Sequence, residues 1–194
     1  MKIVIVGHLH GIGKTLYEEF SKQNHQVIGL DKSERHDIST IQGIDNVVAD
    51  SIYLDSDMMI LSAFDMTVTD TPMIFAQSTL LWKMYNAWEN LDKKIVVLNS
   101  VTSDCSNNYP FIDTYMLSKK TLDSTVKQCR DLNRVMPHII NLKPGYVETK
   151  FIKNSKNLPV MSTMDLFNVL NFILMSDVMI FDISFSAKPP LKNQ

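Results

Sequence analysis

The chain has little cysteine, little glycine, no long apolar run and no block of like charge. Cys105 and Cys129 are its two cysteines. They are too few for a disulfide framework and lack metal-ligand spacing, so two reduced thiols are expected. Lysine plus arginine (19) and aspartate plus glutamate (21) nearly cancel and are interspersed, leaving a formal net charge of −2. A nucleic-acid or membrane-surface role would need a basic face or block, and the sequence has neither. The first apolar run, Ile3 to Val6, is too short for a signal peptide or a spanning helix. The most apolar late stretch, 166–175, is interrupted by Asn168 and Asn171 and is also too short. A cytoplasmic protein is expected, with no nucleic-acid or membrane partner. No repeat, low-complexity tract or Gly/Pro/Ser-rich linker divides the chain. One domain over residues 1–187 is therefore expected, followed by a frayed tail at 188–194.

What is present is an alternation of short β-branched apolar runs with longer amphipathic segments. That is the pattern of βαβ units on a parallel sheet with helices on both faces, a doubly wound α/β fold of Rossmann type. Strands are predicted at 2–6, 26–30, 58–62, 94–99, 138–142 and 178–185. Several are almost continuously apolar, as strands buried on both faces must be. Helices are predicted at 13–23, 71–90, 113–132 and 162–175. Pro72 suits a first helical position, and Ser162 with Asp165 resembles a capping box. Residues 32–56 should hold one helix and a very short strand at Asp37-Ile38.

The first strand runs into Gly7-His8-Leu9-His10-Gly11-Ile12-Gly13 and then a helix. Glycine is needed where a chain turns sharply, where backbone must approach a pyrophosphate, and where helix packs closely on strand. The free N–H groups and positive dipole end of the new helix then favour an anion. Gly13-Lys14-Thr15 does not complete a P-loop, because Gly7 lies one residue too early. His8 and His10 have no local carboxylate or cysteine beside them. They read as loop residues near the phosphates and not as metal ligands, and no metal site is expected. After the second strand comes Asp31, roughly twenty residues beyond the glycines, where a carboxylate accepts hydrogen bonds from the adenosine ribose and repels a 2′-phosphate. NAD(H) is therefore preferred. Lys32, Arg35 and His10 are nearby cations that leave NADP(H) open.

Tyr115 and Lys119 stand at i and i+4 of the third long helix and so share a face. A free phenol titrates near pH 10 and is a poor acid–base catalyst at neutral pH. An adjacent ammonium favours the phenolate and lets the tyrosine exchange a proton with a carbonyl or alcohol oxygen. Fifteen residues before Tyr115, the run Ile95-Val96-Val97-Leu98-Asn99 ends in Ser100. A hydroxyl there, at the C-terminal edge of a strand, can hydrogen-bond the reacting oxygen. Thr102 and Ser103 are alternatives for that place.

These segments occur in an order that resembles the short-chain dehydrogenase/reductase family over nearly the whole chain: GHLHGIG, Asp31, the IVVLNS strand end, YMLSK, and Pro144-Gly145-Tyr146-Val147-Glu148-Thr149. The resemblance implies an oxidoreductase acting on a small carbonyl or alcohol, with Ser100, Tyr115 and Lys119 catalytic. It implies cofactor contacts from Gly7, His10, Gly11, Ile12, Gly13, Asp31, Tyr115, Lys119, Pro144, Gly145 and Val147. Thr149 would meet the nicotinamide carboxamide, and Asp37 with Ile38 the adenine. It further implies a homodimer or homotetramer, through the 71–90 and 113–132 helices. Three departures stand out. The family's Asn-Asn-Ala-Gly after the strand at 58–62 is reduced to Leu61-Ser62-Ala63-Phe64, leaving Ser62 and Ala63 as cofactor contacts. The family's helix asparagine has only Gln77 near its place. The chain is also shorter than typical members by roughly fifty residues, at 32–57 and after Thr149.

Two other readings follow from the same residues. The eroded motifs suit a catalytically weak or inactive dinucleotide-binding sensor or partner-binding protein of the same fold. A methyltransferase would also use a glycine loop and an acid after the second strand, but gives no reason for Tyr115-x-x-x-Lys119. Trp82, Tyr85 and Trp88 read as core or interface, and His138 as the start of a strand. Cys105, lying between Ser100 and Tyr115, has no paired histidine to make it a nucleophile.

Overall fold

The computed structural model describes residues 1–64, 71–104, 114–132, 136–149 and 159–188, with only the backbone of 71–73. Six strands form one parallel sheet: β1 (Lys2–Val6), β2 (Gln26–Leu30), β3 (Met58–Leu61), β4 (Lys94–Leu98), β5 (His138–Pro144) and β6 (Asp182–Phe185). Their order is β2-β1-β3-β4-β5-β6. The helices are α1 (Gly11–Lys22), α2 (Ile41–Tyr53), α3 (Thr71–Ala87), α4 (Thr114–Asp131) and α5 (Thr163–Leu174), and a 3-10 turn, Val101–Asp104, follows β4.

The strands are apolar throughout because each face of the sheet has its own core. Val4, Val6, Met59, Leu61, Ile95 and Val97 point to one side, where α2, α3 and α4 cover them. Ile3, Ile5, Met58, Ile60, Val96 and Leu98 alternate to the other side, under α1 and α5. Tyr85 and Trp88 are fully buried in the first core, whereas Trp82 is exposed.

The predicted elements are present, with five changes, the first being that α3 ends at Ala87, three residues before its expected end. No strand forms at Asp37-Ile38. The Asp37 Oδ1 accepts bonds from the Ser39 amide (3.0 Å) and hydroxyl (2.7 Å), and the Asp37 carbonyl accepts from the Thr40 amide (3.0 Å). This turn delivers Thr40 as the N-cap of α2, with its hydroxyl on the Gly43 amide at 3.0 Å, so local side-chain bonding outcompetes extension. The sheet therefore ends at β2 on that side, without the further strand of the order 3-2-1-4-5-6. Strand β5 runs two residues beyond the expected end because β6 pairs with it as far as Pro144↔Phe185. Strand β6 is shorter than its apolar run suggested, since Val178 and Met179 are exposed in the preceding loop. Helix α1 starts at Gly11 and not at Gly13.

Chain direction across the sheet reverses between β1 and β3. A crevice forms at such a reversal, outside the C-terminal ends of the strands, and that is where open α/β sheets bind ligands. Gly7 closes β1 there and Ser62-Ala63-Phe64 closes β3.

Candidate functional site

The glycine loop is locked to the end of β3. Gly7 has φ +86°, and a Cβ on it would lie 2.6 Å from the Ala63 Cα. A Cβ on Gly13 would lie 2.1 Å from the Gly7 carbonyl oxygen and 2.5 Å from the Ser62 Oγ. Ser62 donates its hydroxyl to the Val6 carbonyl at 2.7 Å. Thus Gly7, Gly13, Ser62 and Ala63 form one tight joint between strand, loop and helix. His10 is the N-cap of α1 in extended conformation with no side-chain capping bond, and the first turn carries no acidic residue. The leading N–H groups of α1 are therefore not claimed by a cap, which is the condition for holding a phosphate there. Ile12 points back into the second core. The His8 ring lies against Gly29 of β2, where a Cβ would fall 2.2 Å from it, and stacks at a tilt on Tyr17. Among the described residues no cluster of His, Cys, Asp or Glu could hold a metal.

Asp31 follows β2 directly beside this loop, since the Gly7 amide donates to the Leu30 carbonyl at 2.8 Å. Its Oδ1 accepts from the Ser33 amide at 3.2 Å. Of the nearby cations, Arg35 is engaged by both carboxylate oxygens of Asp50, at 2.6 and 2.8 Å. Burial pushes the Asp50 carboxyl up, but bonds from His36 and Arg35 outweigh it and hold the group below the usual carboxylate range. Asp37 uses its carboxylate in the turn before α2, and Ile38 is buried in the first core.

Tyr115 and Lys119 rise from α4 toward the end of β4. The Lys119 Nζ donates to the Leu98 carbonyl (2.7 Å) and to the Gln77 Oε1 (2.8 Å), and lies 5.5 Å from the centre of the Tyr115 ring. Only 3% of Lys119 is exposed, and burial alone lowers its pKa to about 7. Phe64 completes the enclosure. Its ring meets Tyr115 edge-on with centroids 5.2 Å apart, and lies 5.4 Å from the Lys119 Nζ. Ser100, buried two residues past Leu98, accepts from the Thr102 amide at its Oγ (3.2 Å), and its own amide donates to the Asn99 Oδ1 (3.0 Å). The fold thus brings phenol, amine and hydroxyl to the same strand end, and the spacing in sequence could not show this for Ser100. The Thr102 Oγ1 is buried, while the Ser103 hydroxyl is turned back onto the Ser100 carbonyl at 2.8 Å.

The segment after β5 arrives from the opposite side of the crevice. Thr149 reaches the glycine loop, where a Cβ on Gly11 (φ +54°) would lie 3.5 Å from its Cγ2. Pro144 is buried at the end of β5, and Gly145 is required by Ser186, whose Cβ would be 2.7 Å from an added methyl. Val147 packs in the second core and bridges to Met161. Cys105 and residues 150–158 lie outside the described residues, as does the tail beyond 188.

The sequence gives no site role to Phe64, and offers Gln77 only as the nearest residue to the place of the family's helix asparagine. Phe64 carried a signal, since an aromatic stood where a glycine was expected. Gln77 had only its approximate position on α3. Its Oε1 holds Lys119, and its buried Nε2 has no hydrogen-bond partner among the described residues.

No protein-family model and no curated protein sequence matches the chain. Solved structures do. The chain is similar to the 3-alpha-hydroxysteroid dehydrogenase from Pseudomonas sp. B-0831, solved with NADH, with a TM-score of 0.73 and 18% identity over 95% of each chain. It is similar to a short-chain dehydrogenase/reductase from Vibrio parahaemolyticus, with a TM-score of 0.72 and 18% identity over 96% of this chain and 99% of that one. A short-chain dehydrogenase from Burkholderia cenocepacia J2315, solved with NADP, superposes with a TM-score of 0.71 at 14% identity, over 94% of this chain and 90% of that one. At these identities the likeness is one of fold: the chain has the architecture of the short-chain dehydrogenases/reductases.

Proposed function

We propose that the chain is an NAD(H)-dependent oxidoreductase acting on a small carbonyl or alcohol, with Ser100, Tyr115 and Lys119 as its catalytic groups. The observation that carries this is the meeting of Tyr115 and Lys119 with the Ser100 strand end, beside a glycine cradle whose helix N-terminus is uncapped. A nicotinamide dinucleotide held by these residues would supply or accept the hydride. Tyr115 gives a proton to the carbonyl oxygen or takes one from the alcohol. The Ser100 hydroxyl, already accepting from Thr102, donates to the same oxygen and stabilises its developing charge. Lys119 in its protonated form favours the phenolate of Tyr115. An anionic dinucleotide would favour that protonated form, against the burial that now lowers the Lys119 pKa.

The residues present fit the dinucleotide best at its pyrophosphate, through Gly7, His10, Gly11, Ile12 and Gly13 with Thr149 opposite. Asp31 would take the adenosine ribose, and Asp37 with Ile38 the adenine. Preference for NAD(H) over NADP(H) is supported by Asp31 and by the engagement of Arg35 with Asp50. Ser62, Ala63, Pro144, Gly145 and Val147 would line the cofactor mainly by backbone, since Val147 points into the core. Exposed Phe75 and Trp82 on α3 and Leu117 on α4 support a homo-oligomeric contact on these helices.

The test is to titrate NADH and NADPH by fluorescence and to screen carbonyls for NADH oxidation with wild type and Tyr115→Phe. Turnover that Tyr115→Phe reduces at least about a hundredfold is the expected result. The enclosure of Lys119 by Phe64 favours one second reading, a dinucleotide-binding protein without turnover. NADH binding with no turnover on any carbonyl would select it.

A further inference from the structure

The face of α4 that carries Tyr115 and Lys119 continues, one turn on, to Asp123. Asp123 is only 4% exposed and collects donors from its own helix, from β5 and from the end of β4. Its Oδ1 accepts from the Lys143 Nζ (2.8 Å), the Asn141 Nδ2 (3.1 Å) and the Asn99 Nδ2 (3.5 Å), and its Oδ2 accepts from Lys127 one turn further (2.7 Å). Lys143 is itself nearly buried. Its ammonium also reaches the Asp104 Oδ1 at 2.8 Å, so one cation joins α4 to the end of the 3-10 turn. Burial pushes the Asp123 carboxyl up, yet Lys127, Lys143 and Asn141 pull it below the ordinary range. Burial likewise opposes charge on Lys143, and the two aspartates raise its pKa in spite of it. The group is thus an ionised strap within the fold.

What the strap holds is the segment that bears Ser100. Asn99, at one end, donates to Asp123 and accepts the Ser100 amide. Asp104, at the other end, is held through Lys143. Just before the segment, Lys119 binds the Leu98 carbonyl. The turn packs on α4 and β5, but a donor must be placed to within a fraction of an ångström to be effective, and polar anchors at both of its ends set that placement. We infer that Asp123, acting through Lys143–Asp104 and through Asn99, is a positioning residue that fixes the Ser100 hydroxyl relative to Tyr115. This inference rests on the oxidoreductase reading proposed above.

The test uses the full chain, the carbonyl turned over fastest by wild type, and the variants Asp104→Ala, Asp123→Asn and Ser100→Ala. Asp104 is half exposed, so its removal spares the core and serves if Asp123→Asn fails to fold. Asp104→Ala should lower kcat about fivefold to tenfold while leaving the NADH dissociation constant unchanged. In the Ser100→Ala background, itself down about a hundredfold, Asp104→Ala should have no further effect, because the strap acts only through the missing hydroxyl. Equal losses from Asp104→Ala with and without Ser100 would overturn the inference, as would an unchanged kcat. Absence of turnover by wild type itself is a different outcome: it would sink the oxidoreductase reading and the inference with it.

Discussion

Phe64 and Lys119 share one problem. The amine is buried with two oxygen acceptors and two aromatic rings around it, and any ligand hydroxyl that is to reach it must displace something. Gln77 and the Leu98 carbonyl are built into α3 and β4. The half-buried Phe64 ring makes an edge-on pair with Tyr115 and a cation–π contact with the amine, together worth about 1–2 kcal/mol. On the proposed function that contact has to be given up when nucleotide binds. Phe64→Ala should therefore bind NADH more tightly than wild type, by roughly fivefold to tenfold in a fluorescence titration. A weaker affinity in the variant would mean instead that the ring serves as a stacking surface for the cofactor.

Among the elements, the joint of β1, α1 and β3 has no room to spare. Gly13 sits where a single methyl would collide with the Gly7 carbonyl and the Ser62 hydroxyl. Neither neighbour can yield without moving α1 away from the sheet. Gly13→Ala should cost roughly 1–3 kcal/mol in urea unfolding, as overpacking of a closed contact does, and should abolish NADH binding. Retained binding in a destabilised Gly13→Ala would separate the packing role of this glycine from the cradle. Helix α5 offers a contrast. Its capping box, Ser162 with Asp165, was visible in the sequence and is present in full, because both partners are local and no other element has to agree.

At the scale of the whole molecule, Lys119 couples stability to pH. Its folded-state pKa is about 7 against an ordinary value of 10.5. Below pH 7 both states carry the proton, and the full cost of burying the charge falls on the folded state. Between these two values the unfolded chain binds more protons than the folded one, so the free energy of unfolding rises with pH, by at most about 1.4 kcal/mol per unit. Ligand-free wild type should accordingly gain stability from pH 7 to pH 9 relative to Lys119→Met, measured by urea unfolding of both at each pH. Parallel pH profiles for the two proteins would show that the amine stays hydrated in the folded state.

Local chemistry was legible along the chain. The alternation of apolar runs with amphipathic helices, the glycine loop before α1, the cap of α5 and the i, i+4 pair of Tyr115 and Lys119 depend on neighbours a few residues apart, and all are found where the sequence put them. At Asp37-Ile38 the expected strand is absent because the Asp37 bonds to Ser39 and Thr40 form a turn, and the sequence does not show whether such polar side chains bond locally or stay solvated. The overlong β6 was misread because exposed Val178 and Met179 continue its apolar run. Other features needed the fold. Sequence alone could not show that Arg35 is held by Asp50, or that Thr149 closes on Gly11. Nor could it show that Phe64 and Gln77 enclose Lys119, or that Asp123, Lys143 and Asp104 meet around the Ser100 turn. Thr149 with Gly11, and Phe64 and Gln77 with Lys119, join residues from separate crossovers of the parallel sheet; Arg35 with Asp50, and Asp104 with Asp123 through Lys143 of β5, meet across one folded crossover. In every case the packing of helices on the sheet sets the distances, not the spacing in the chain.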